Sequence, residues 1–435
     1  MTIATPRRVA IIGGNRIPFA RSNTAYSHAS NHDLLTAALQ GLVDRFQLQG
    51  QRLGEVAGGA VMKHTRDYNL VREAVLSTTL SPQTPAFDLQ QACGTGLEAT
   101  ILVANKIALG QIECGIACGS DTTSDAPIAI HDQLRRTLLD IARARSAWQR
   151  VQRALRIRPG QFFRPELPRN AEPRTGLAMG EHAELMAQQW GISRQEQDEL
   201  AWQSHHHLQR AYDIGFFTDL ITPALGLKAD NNLRRDLSMD QLSKLKPVFD
   251  RKVAPGLGTL TAGNATPLTD GASAVLLASE DWAKLHGLPV LAYLSHSEVA
   301  AVDFFNADPN QKEGLLMAPA YAVSRMLARA GLTLQDFDFY EIHEAFAAQV
   351  LCTLKAWEDP VFCRDKLGLG NPLGSIDRSK LNVNGSSLAT GHPFAATGAR
   401  IVATLAKLLH QKGAGRGLIS ICAAGGQGVV AIVER

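Results

Sequence analysis

Apolar segments with the lengths of buried strands alternate with amphipathic helical segments along most of this chain, and this alternation most constrains its fold. Near the start, RVAIIGGNRIPF (residues 8–19) predicts a strand that ends in a glycine turn, DLLTAALQGLVDRF (33–46) predicts an amphipathic helix, and EVAGGAVMK (55–63) predicts a second strand. Further along, CGIACGSDTTS (114–124) predicts another short strand that closes on a turn. Alternating strands and helices predict an α/β fold in which helices cover both faces of the sheet.

The alternation stops between about residue 128 and residue 268. This segment is rich in Arg, Gln and Pro, and its few apolar stripes have helical spacing. After DGASAVLLAS (270–279) the alternation returns and continues to the C-terminus. TGLEATILVANKI (95–107) and TGARIVATLAKLL (397–409) both open a helix with Thr-Gly after a run of small residues. We therefore expect two similar α/β halves separated by an inserted helical segment.

Composition places the chain among ordinary globular proteins. Its 435 residues exceed the usual size of one domain, and 45% hydrophobic with 20% charged residues supply ample core material. The net charge of +3 is too small to argue for a nucleic-acid partner. The six cysteines do not form the dense framework of a secreted disulfide scaffold. The apolar piece near the start is too short for a secretory signal, and no run reaches the roughly 18 apolar residues of a membrane span, so we expect a cytoplasmic location.

Three familiar cofactor-binding or metal-binding motifs are incomplete or absent in this sequence. GGN at 13–15 lacks the rest of a dinucleotide-binding pattern, and the absence of GxxxxGK followed by Ser or Thr argues against a P-loop nucleotide hydrolase. HEAFA (343–347) begins like a zinc-protease helix but has Ala347 where the second histidine ligand would stand. The run His205-His206-His207 favours a solvated helix over a metal site, because consecutive residues point to different faces of a helix.

Four reactive side chains stand on turns built from small residues. They are Cys93 in QQACGTGLEA, His343 in YEIHEAFAAQ, His392 in GHPFAATGAR and Cys422 in SICAAGGQG. Any one of them alone is more often a buried structural residue than a catalytic one. All four lie near predicted strand ends, where open α/β sheets bind ligands, and small neighbours let a bulky substrate approach. Together they predict one site with two thiols and two imidazoles.

The turn that holds Cys93 leaves two interpretations open. The cysteine is either a small buried hydrophobic residue or a thiol whose pKa is lowered by the N-terminus of the following helix. Its position in the sequence does not separate the two.

Five segments of the sequence resemble those of the thiolase family, in family order and at roughly family spacing. They are QACGTGLEA, TAGNATPLTDGASA, HEAFAAQ, GHPFAATGAR and CAAGGQG. The resemblance runs from the first strand to the last and is strongest to the branch that serves as the β-subunit of fatty-acid oxidation complexes. It implies two βαβαβαββ halves in a five-layered α/β/α/β/α sandwich with an inserted loop domain. The implied boundaries are 1–127, completed by 269–288, for the N-terminal half, 128–268 for the loop domain, and 289–435 for the C-terminal half.

The resemblance also implies an activity, that of an acetyl-CoA C-acyltransferase which uses CoA to cleave 3-ketoacyl-CoA in fatty acid β-oxidation. Cys93 would be the nucleophile, His392 its base, and Cys422 the acid and base for the acetyl carbon and the incoming thiol. His392 and a water held by His343 would stabilise the enolate, and the backbone N–H groups of Cys93 and Ala424 the tetrahedral adduct. Most thiolases have Asn where this chain has His343, whereas the fatty-acid-complex branch has His.

The resemblance implies CoA as a substrate, with no permanently bound cofactor and no metal. Met179, Phe249, Thr266 and Phe346 match family positions around the pantetheine arm. Arg234 is a looser match for a residue near the adenine and phosphates, and a solvated arginine is an equal alternative there.

Two other functions stay open at this point. A biosynthetic thiolase that makes acetoacetyl-CoA by Claisen condensation would use the same residues. A non-catalytic lipid or CoA carrier on the same fold would not need a second thiol. Family analogy further implies a homodimer or a dimer of dimers, and a hydratase–dehydrogenase α-subunit as partner.

The segment 133–165 is strongly basic and amphipathic. It contains nine arginines and a single acidic residue, Asp140. They are Arg135, Arg136, Arg143, Arg145, Arg150, Arg153, Arg156, Arg158 and Arg164. Such a helix is typical of contact with an anionic lipid surface or a partner subunit, and the alternative is a solvated helix packed on the loop domain.

Overall fold

The computed structural model describes residues 6–308 and 311–435. Residues 1–5 of the predicted N-terminal half and residues 309–310 of the predicted C-terminal half lie outside this description.

The N-terminal half alternates strands and helices as the sequence pattern predicts. Its elements are β1 (Val9–Arg16), β2 (Ala20–Arg21), α1 (Asn31–Arg45), β3 (Glu55–Gly58), α2 (Leu70–Leu76), β4 (Ala86–Asp88), α3 (Thr95–Ala108), β5 (Cys114–Asp121) and β6 (Thr269–Ser279). α1 begins at a capping box, in which Ser30 and Asp33 each bind the other's backbone N–H. β6 is buried along its whole length, as expected for a central strand of a covered sheet.

Between β5 and β6 the chain leaves the sheet for a helical segment. Its helices are α4 (Asp132–Ala142), α5 (Ala147–Ala154), α6 (Met179–Trp190), α7 (Arg194–Asp213) and α8 (Met239–Ser243). The basic segment 133–165 is two helices rather than the one amphipathic helix its pattern predicts. α4 ends at Arg143, and the Ser146 side chain accepts from the Gln149 N–H to start α5. The domain boundaries at 127/128 and 268/269 stay a prediction.

The C-terminal half repeats the strand–helix alternation. Its elements are β7 (Ala292–Ala301), α10 (Ala318–Ala330), β8 (Phe339–Ile342), α11 (Ala347–Glu358), α12 (Pro360–Asp365), α13 (Ser387–Thr390), α14 (Thr397–Lys412), β9 (Arg416–Ala423) and β10 (Gln427–Glu434). Before them, α9 (Glu280–Leu285) follows β6 and contacts β1 and β6 of the N-terminal half. At the position that β4 occupies in the N-terminal half, next to the outer strand, the C-terminal half has a parallel bridge between Tyr340 of β8 and Leu381.

The strands follow the order β4-β3-β5-β6-β1-β7-β10-β9-β8, with β2 paired to β6. In the N-terminal half β6 runs antiparallel between β1 and β5, and in the C-terminal half β10 runs antiparallel between β7 and β9. The outer strands β3, β4 and β5 are parallel, as are β8 and β9. Both halves therefore share one topology, and their sheets join where β1 pairs with β7.

Strand side chains alternate between outer cores and one shared inner core. Ala10 and Ile12 of β1 pack in the outer cluster of the N-terminal half, beneath α1 and α2. Val9 and Ile11 pack in the inner cluster with residues of α3 and α14. α14 is buried over its first thirteen residues. The predicted sandwich therefore has five layers. The α3–α14 layer lies in the middle, a sheet lies on each side of it, and outer helices cover each sheet.

Within the described ranges, no helix has both the length and the apolar character needed to cross a bilayer.

Candidate active site

Cys93 lies in a tight turn between β4 and α3. Ala92 just before it has a φ of +47°, a left-handed conformation that residues other than glycine rarely adopt. The Thr95 hydroxyl holds this turn, because it donates to the Ala92 carbonyl at 2.7 Å and accepts from the Gln91 N–H at 2.9 Å. Strained backbone of this kind persists where its surroundings fix it, and here it places the thiol just ahead of a helix N-terminus.

His392 reaches the Cys93 thiol from the other half of the molecule. Its Nε2 lies 3.0 Å from the Cys93 Sγ, and its Nδ1 lies 2.6 Å from the Thr397 Oγ1. Its backbone N–H donates to the Thr269 Oγ1 at 2.8 Å. Gly391 has a φ of +102°, and a Cβ there would stand 2.7 Å from the Thr269 side chain, so this turn requires glycine. Because Nδ1 is held by a hydroxyl, Nε2 is the nitrogen placed to take the thiol proton.

His343 follows β8 and completes a group of three reactive side chains. It is fully buried, and its ring centroid lies 4.1 Å from that of His392. Its Nδ1 is 2.8 Å from the Ser387 Oγ, which also accepts from the Arg400 Nη2 at 3.0 Å. Its Nε2 has no hydrogen-bond partner among the described residues. The Cys93 sulfur and a ring nitrogen of each histidine all lie within 4.8 Å of one another.

The β9–β10 hairpin brings the second thiol and a backbone donor. Cys422 is buried near the end of β9, and burial together with the neighbouring Cys93 raises the pKa of its thiol well above the ordinary value. The backbone N–H of Ala424 hydrogen-bonds the Cys93 sulfur. Glu172, from the inserted segment, accepts from the Gly425 N–H at 2.7 Å and holds this turn in place.

Burial keeps the site electrically neutral. It raises the pKa of the Cys93 thiol to about 12 and lowers the pKa of His392 to about 3. It also lowers the pKa of His343 well below its ordinary value. The N–H groups of Ala424 and of Cys93 itself oppose the shift at the thiol without overcoming it. The structure therefore favours a neutral resting thiol, because burial raises the pKa of Cys93 more than these two N–H groups lower it.

Four of the five residues predicted to bind CoA come together. Met179, Phe249 and Phe346 pack in or against one apolar cluster, where the rings of Phe249 and Phe346 meet edge to face at 6.0 Å. The Thr266 hydroxyl donates to the Ala345 carbonyl at 3.0 Å, next to Phe346.

Arg234 lies apart from these four. It lines a cavity of about 350 Å³ together with Arg235, Asp236, Leu237, Gln241 and Leu245. Its backbone N–H donates to the Nδ1 of His205 at 3.1 Å. His205 is buried, so the prediction of a solvated histidine run is wrong for this residue, whereas His206 is exposed and stacks on Trp202. Within the described residues the run forms no metal-ligating cluster.

Sequence reasoning missed the groups that hold the reactive side chains. Thr269 and Thr397 lie inside recognised segments and Ser387 lies just before one, but only the folded chain reveals which atoms they bond. Thr397 had one local signal, since it opens the helix that echoes α3. Glu172 had none, because it lies in the inserted segment and contacts a turn far along the chain.

Family models and known proteins agree with this architecture. Residues 9–281 match the thiolase N-terminal domain and residues 291–435 match the thiolase C-terminal domain. The 3-ketoacyl-CoA thiolase of Yersinia enterocolitica is 41% identical, over 98% of this chain and 97% of that protein, and its Yersinia pestis counterpart is 40% identical with the same coverage.

Solved structures give the same result. The Bacillus anthracis acetyl-CoA acetyltransferase matches with a TM-score of 0.79 and 30% identity over 99% of both chains. The human mitochondrial 3-ketoacyl-CoA thiolase in complex with CoA matches with a TM-score of 0.79 and 28% identity over 98% of both chains. The two matching domains and these full-length relatives establish that the chain belongs to the thiolase family.

Proposed function

We propose that this chain is a 3-ketoacyl-CoA thiolase of fatty acid β-oxidation, which releases acetyl-CoA and passes the shortened acyl group through Cys93 to a second CoA. The observation that carries the proposal is the 3.0 Å contact between the Cys93 Sγ and the His392 Nε2, with the Cys422 thiol buried beside them. The names of the Yersinia relatives support the substrate class.

Acylation begins with a neutral thiol. As the Cys93 sulfur attacks the C3 keto carbon, its proton passes to the His392 Nε2, so that no thiolate has to exist beforehand in the buried site. The C2–C3 bond then breaks, and its electron pair leaves with acetyl-CoA as an enolate. The Cys422 thiol donates its proton to C2, which yields acetyl-CoA, an acyl thioester on Cys93 and a Cys422 thiolate.

Deacylation reverses these proton movements. The Cys422 thiolate takes the proton of the incoming CoA thiol, whose sulfur attacks the acyl carbon on Cys93. The shortened acyl-CoA leaves, and the Cys93 sulfur recovers its proton from the His392 imidazolium. Each residue therefore ends the cycle in the protonation state in which it began.

Two oxyanions form during the cycle. The enolate oxygen is stabilised by His392 and by a water bound at the unpaired Nε2 of His343. The tetrahedral adduct is stabilised by the backbone N–H groups of Cys93 and Ala424, the second of which already contacts the sulfur.

We propose that CoA binds along the inserted segment. Met179, Phe249, Phe346 and Thr266 would line the pantetheine arm, because they form one apolar cluster with a hydroxyl at its edge. Arg234 would face the phosphates from its cavity, where a neighbouring guanidinium adds positive charge. The solved complex of the human neighbour with CoA supports CoA as the ligand.

Thiolysis of acetoacetyl-CoA and of a long-chain 3-ketoacyl-CoA tests the proposal, followed at the absorbance of the magnesium–enolate complex. Turnover of the long-chain substrate in preference to acetoacetyl-CoA favours the degradative role. Preference for acetoacetyl-CoA favours the biosynthetic thiolase, which uses the same residues. If the absorbance falls with neither substrate, both thiolase functions are contradicted, and the non-catalytic lipid or CoA carrier is left.

We propose a homodimer, or a dimer of dimers, as the assembly. β4 is the last strand at one edge of the sheet, and an edge strand can pair with the same strand of a second copy. Light scattering on the purified protein measures the assembly, and a monomer at micromolar concentration would contradict it. All six cysteines are free thiols, which suits a reducing cytoplasm.

We further propose that the α4–α5 region docks on an anionic lipid surface. Trp148, Leu155 and Phe163 are 69%, 80% and 83% exposed beside the arginines of the same segment, a pattern typical of interfacial helices. Docking on a hydratase–dehydrogenase subunit is the alternative, and chemistry does not need the segment in either case.

Replacing Arg150, Arg153 and Arg156 by Gln should abolish co-sedimentation with phosphatidylglycerol vesicles at low salt and leave thiolysis of acetoacetyl-CoA intact. The uncharged phosphatidylcholine vesicle is the control. Unchanged vesicle binding by the variant would contradict the lipid proposal, and binding to an added hydratase–dehydrogenase subunit with none to vesicles would favour the alternative.

A further inference from the structure

The three reactive groups around Cys93 have the arrangement of a soft-metal site. The thiol sulfur and one ring nitrogen of each of His343 and His392 lie within 4.8 Å of one another. Zn²⁺ is commonly bound by cysteine sulfur and imidazole nitrogen, and a site with three protein ligands leaves a fourth position for a water. Bonds of about 2.0–2.3 Å in a tetrahedron place ligand atoms about 3.3–3.7 Å apart, so a small opening of the 3.0 Å sulfur–nitrogen contact would admit an ion.

Each histidine is also held in the way that metal ligands are held. The Nδ1 of His392 lies 2.6 Å from the Thr397 hydroxyl, and the Nδ1 of His343 lies 2.8 Å from the Ser387 hydroxyl. A second partner of this kind fixes the ring and leaves the other nitrogen for the metal. A hydroxyl oxygen can accept the Nδ1 proton, so both Nε2 atoms can offer a lone pair.

His343 supplies a second sign that a ligand belongs here, at the nitrogen where the proposed mechanism places a water. Its side chain is fully buried, yet its Nε2 has no hydrogen-bond partner in the described residues. A buried polar atom without a partner calls for a water, an ion or a substrate atom. Cys93 is partly accessible, which provides a path of entry.

We propose that Cys93, His343 and His392 together bind one zinc ion in the resting enzyme and that this ion inhibits acyl transfer. Zinc takes the place of the Cys93 thiol proton and occupies the lone pair of His392, so the nucleophile and its base are both blocked. An acylated Cys93 is a thioester and lacks the thiolate that the ion requires, so turnover and zinc binding exclude each other. The ion is an inhibitor rather than a resident cofactor, and the inhibition rests on the proposed thiolase activity while the binding does not.

Cobalt(II) reports the site without any reference to activity. Titrating the metal-free protein with Co²⁺ should give one equivalent with a thiolate-to-cobalt charge-transfer band and the strong visible bands of four-coordination. His343→Asn should weaken this binding at least about tenfold, because an amide is a poor ligand for a soft ion. Cys93→Ser should remove the charge-transfer band, and Cys422→Ala should keep it. A Co²⁺ spectrum without a thiolate band, or unchanged affinity in His343→Asn, would overturn the site.

His296→Asn is the matched control, because the Nδ1 of His296 also lacks a partner while this histidine belongs to no ligand cluster in the described chain. It should bind Co²⁺ as the wild type does. A measurement on the wild type alone guards against a variant that misfolds: Zn²⁺ should protect Cys93 from iodoacetamide, as followed by mass spectrometry, and EDTA should restore alkylation. Alkylation unaffected by Zn²⁺ overturns the proposal even if the protein has no thiolase activity.

Zinc inhibition of thiolysis is the last measurement. Wild type should lose activity reversibly, and the residual activity of His343→Asn should need at least about tenfold more zinc for the same fractional loss. Equal sensitivity of the two proteins would mean that zinc binds Cys93 without His343, which contradicts the three-ligand site. If no thiolysis is found at all while Co²⁺ binds as described, the proposed function fails and the metal site stands.

Discussion

At the residue scale, the Cys93 thiol meets the His392 Nε2 across 3.0 Å in a site where burial holds both groups neutral. A neutral pair reacts with alkylating agents and oxidants more slowly than a thiolate would, since the thiolate is the reactive form. In the proposed mechanism, proton transfer therefore accompanies attack on the substrate rather than preceding it. The geometry of the contact, more than the resting pKa of either group, therefore sets the reactivity.

Cys93→Ser should lower kcat for thiolysis at least about a thousandfold. An alcohol holds its proton more tightly than a thiol and is a weaker nucleophile, so transfer of that proton to His392 during attack is much less favourable. Steady-state kinetics measure the loss, and mass spectrometry should find no acyl adduct. Cys363→Ser is the matched control, because the Cys363 thiol donates to the backbone carbonyls of Ala356 and Trp357, bonds that a hydroxyl can also make. Near-wild-type turnover by Cys93→Ser would remove this residue from the mechanism.

Cys422→Ala should slow deuterium exchange into the methyl carbon of acetyl-CoA at least about a hundredfold, because the general acid and base for that carbon is gone. The exchange is measured by NMR in deuterated buffer. Iodoacetamide should still alkylate Cys93 in this variant, which checks that the site has kept its shape. Exchange at the wild-type rate would make Cys422 a packing residue.

At the element scale, the two inner helices explain the Thr-Gly pairs of the sequence. α3 begins two residues after Cys93 and α14 begins five residues after His392, so their N-termini carry the two reactive turns toward each other. A Cβ on Gly398 would stand 2.1 Å from the Leu97 backbone nitrogen, and one on Gly96 would stand 2.6 Å from the Ala395 carbonyl oxygen. Glycine is required at this crossing because backbone meets backbone.

Gly398→Ala should destabilise the protein by about 1–3 kcal/mol, the usual cost of forcing an extra carbon into a packed core. It should also lower kcat, because separating the helices moves Cys93 away from His392. Urea unfolding and thiolysis measure the two effects. Gly160→Ala is the control, since nothing lies within 4 Å of the added carbon. A variant with wild-type stability and activity would show that the helices do not meet here.

At the scale of the whole molecule, the site exists only when both halves pack together. Cys93 comes from the N-terminal half, whereas His343, His392 and Cys422 come from the C-terminal half. The inserted segment adds Glu172, which holds the turn that carries the Ala424 donor. The same packing buries several histidines, and this makes stability depend on pH.

His205 provides a clean test of that dependence. Burial, with Arg234 nearby, lowers its pKa from 6.5 to about 4, and its Nδ1 must stay unprotonated to accept the Arg234 N–H. The unfolded chain then binds the proton more tightly, so the contribution of His205 to stability is complete above about pH 6.5 and is lost as pH falls toward 4.

His205→Asn removes this titration and keeps an oxygen that can accept the same N–H. Between pH 6 and pH 4.5, approximately, the unfolding free energy of the wild type should fall more steeply than that of the variant by about 1.4 kcal/mol per pH unit. Urea unfolding at several pH values measures both slopes. Parallel curves for the two proteins would show that His205 is protonated equally in the folded and unfolded states.

The sequence by itself determined the alternation of strands and helices, the inserted helical segment and the four reactive residues. These features are local: strand and helix periodicity, and turns of small residues around Cys93, His343, His392 and Cys422, are written within about ten residues each. The repeat of Thr-Gly before α3 and α14 likewise indicated two similar halves, which the shared strand order confirms.

Only the tertiary structure decided how those residues are oriented, hydrogen-bonded and ionised. Thr397 decides which nitrogen of His392 faces the thiol, and Ser387 decides which nitrogen of His343 is left unpaired. Whether the thiol ionises depends on how much water the packed halves exclude. The contact of Glu172 with Gly425 and the break between α4 and α5 are decided in the same way. Desolvation and long-range hydrogen bonds arise from segments far apart in the chain, and no local pattern encodes them.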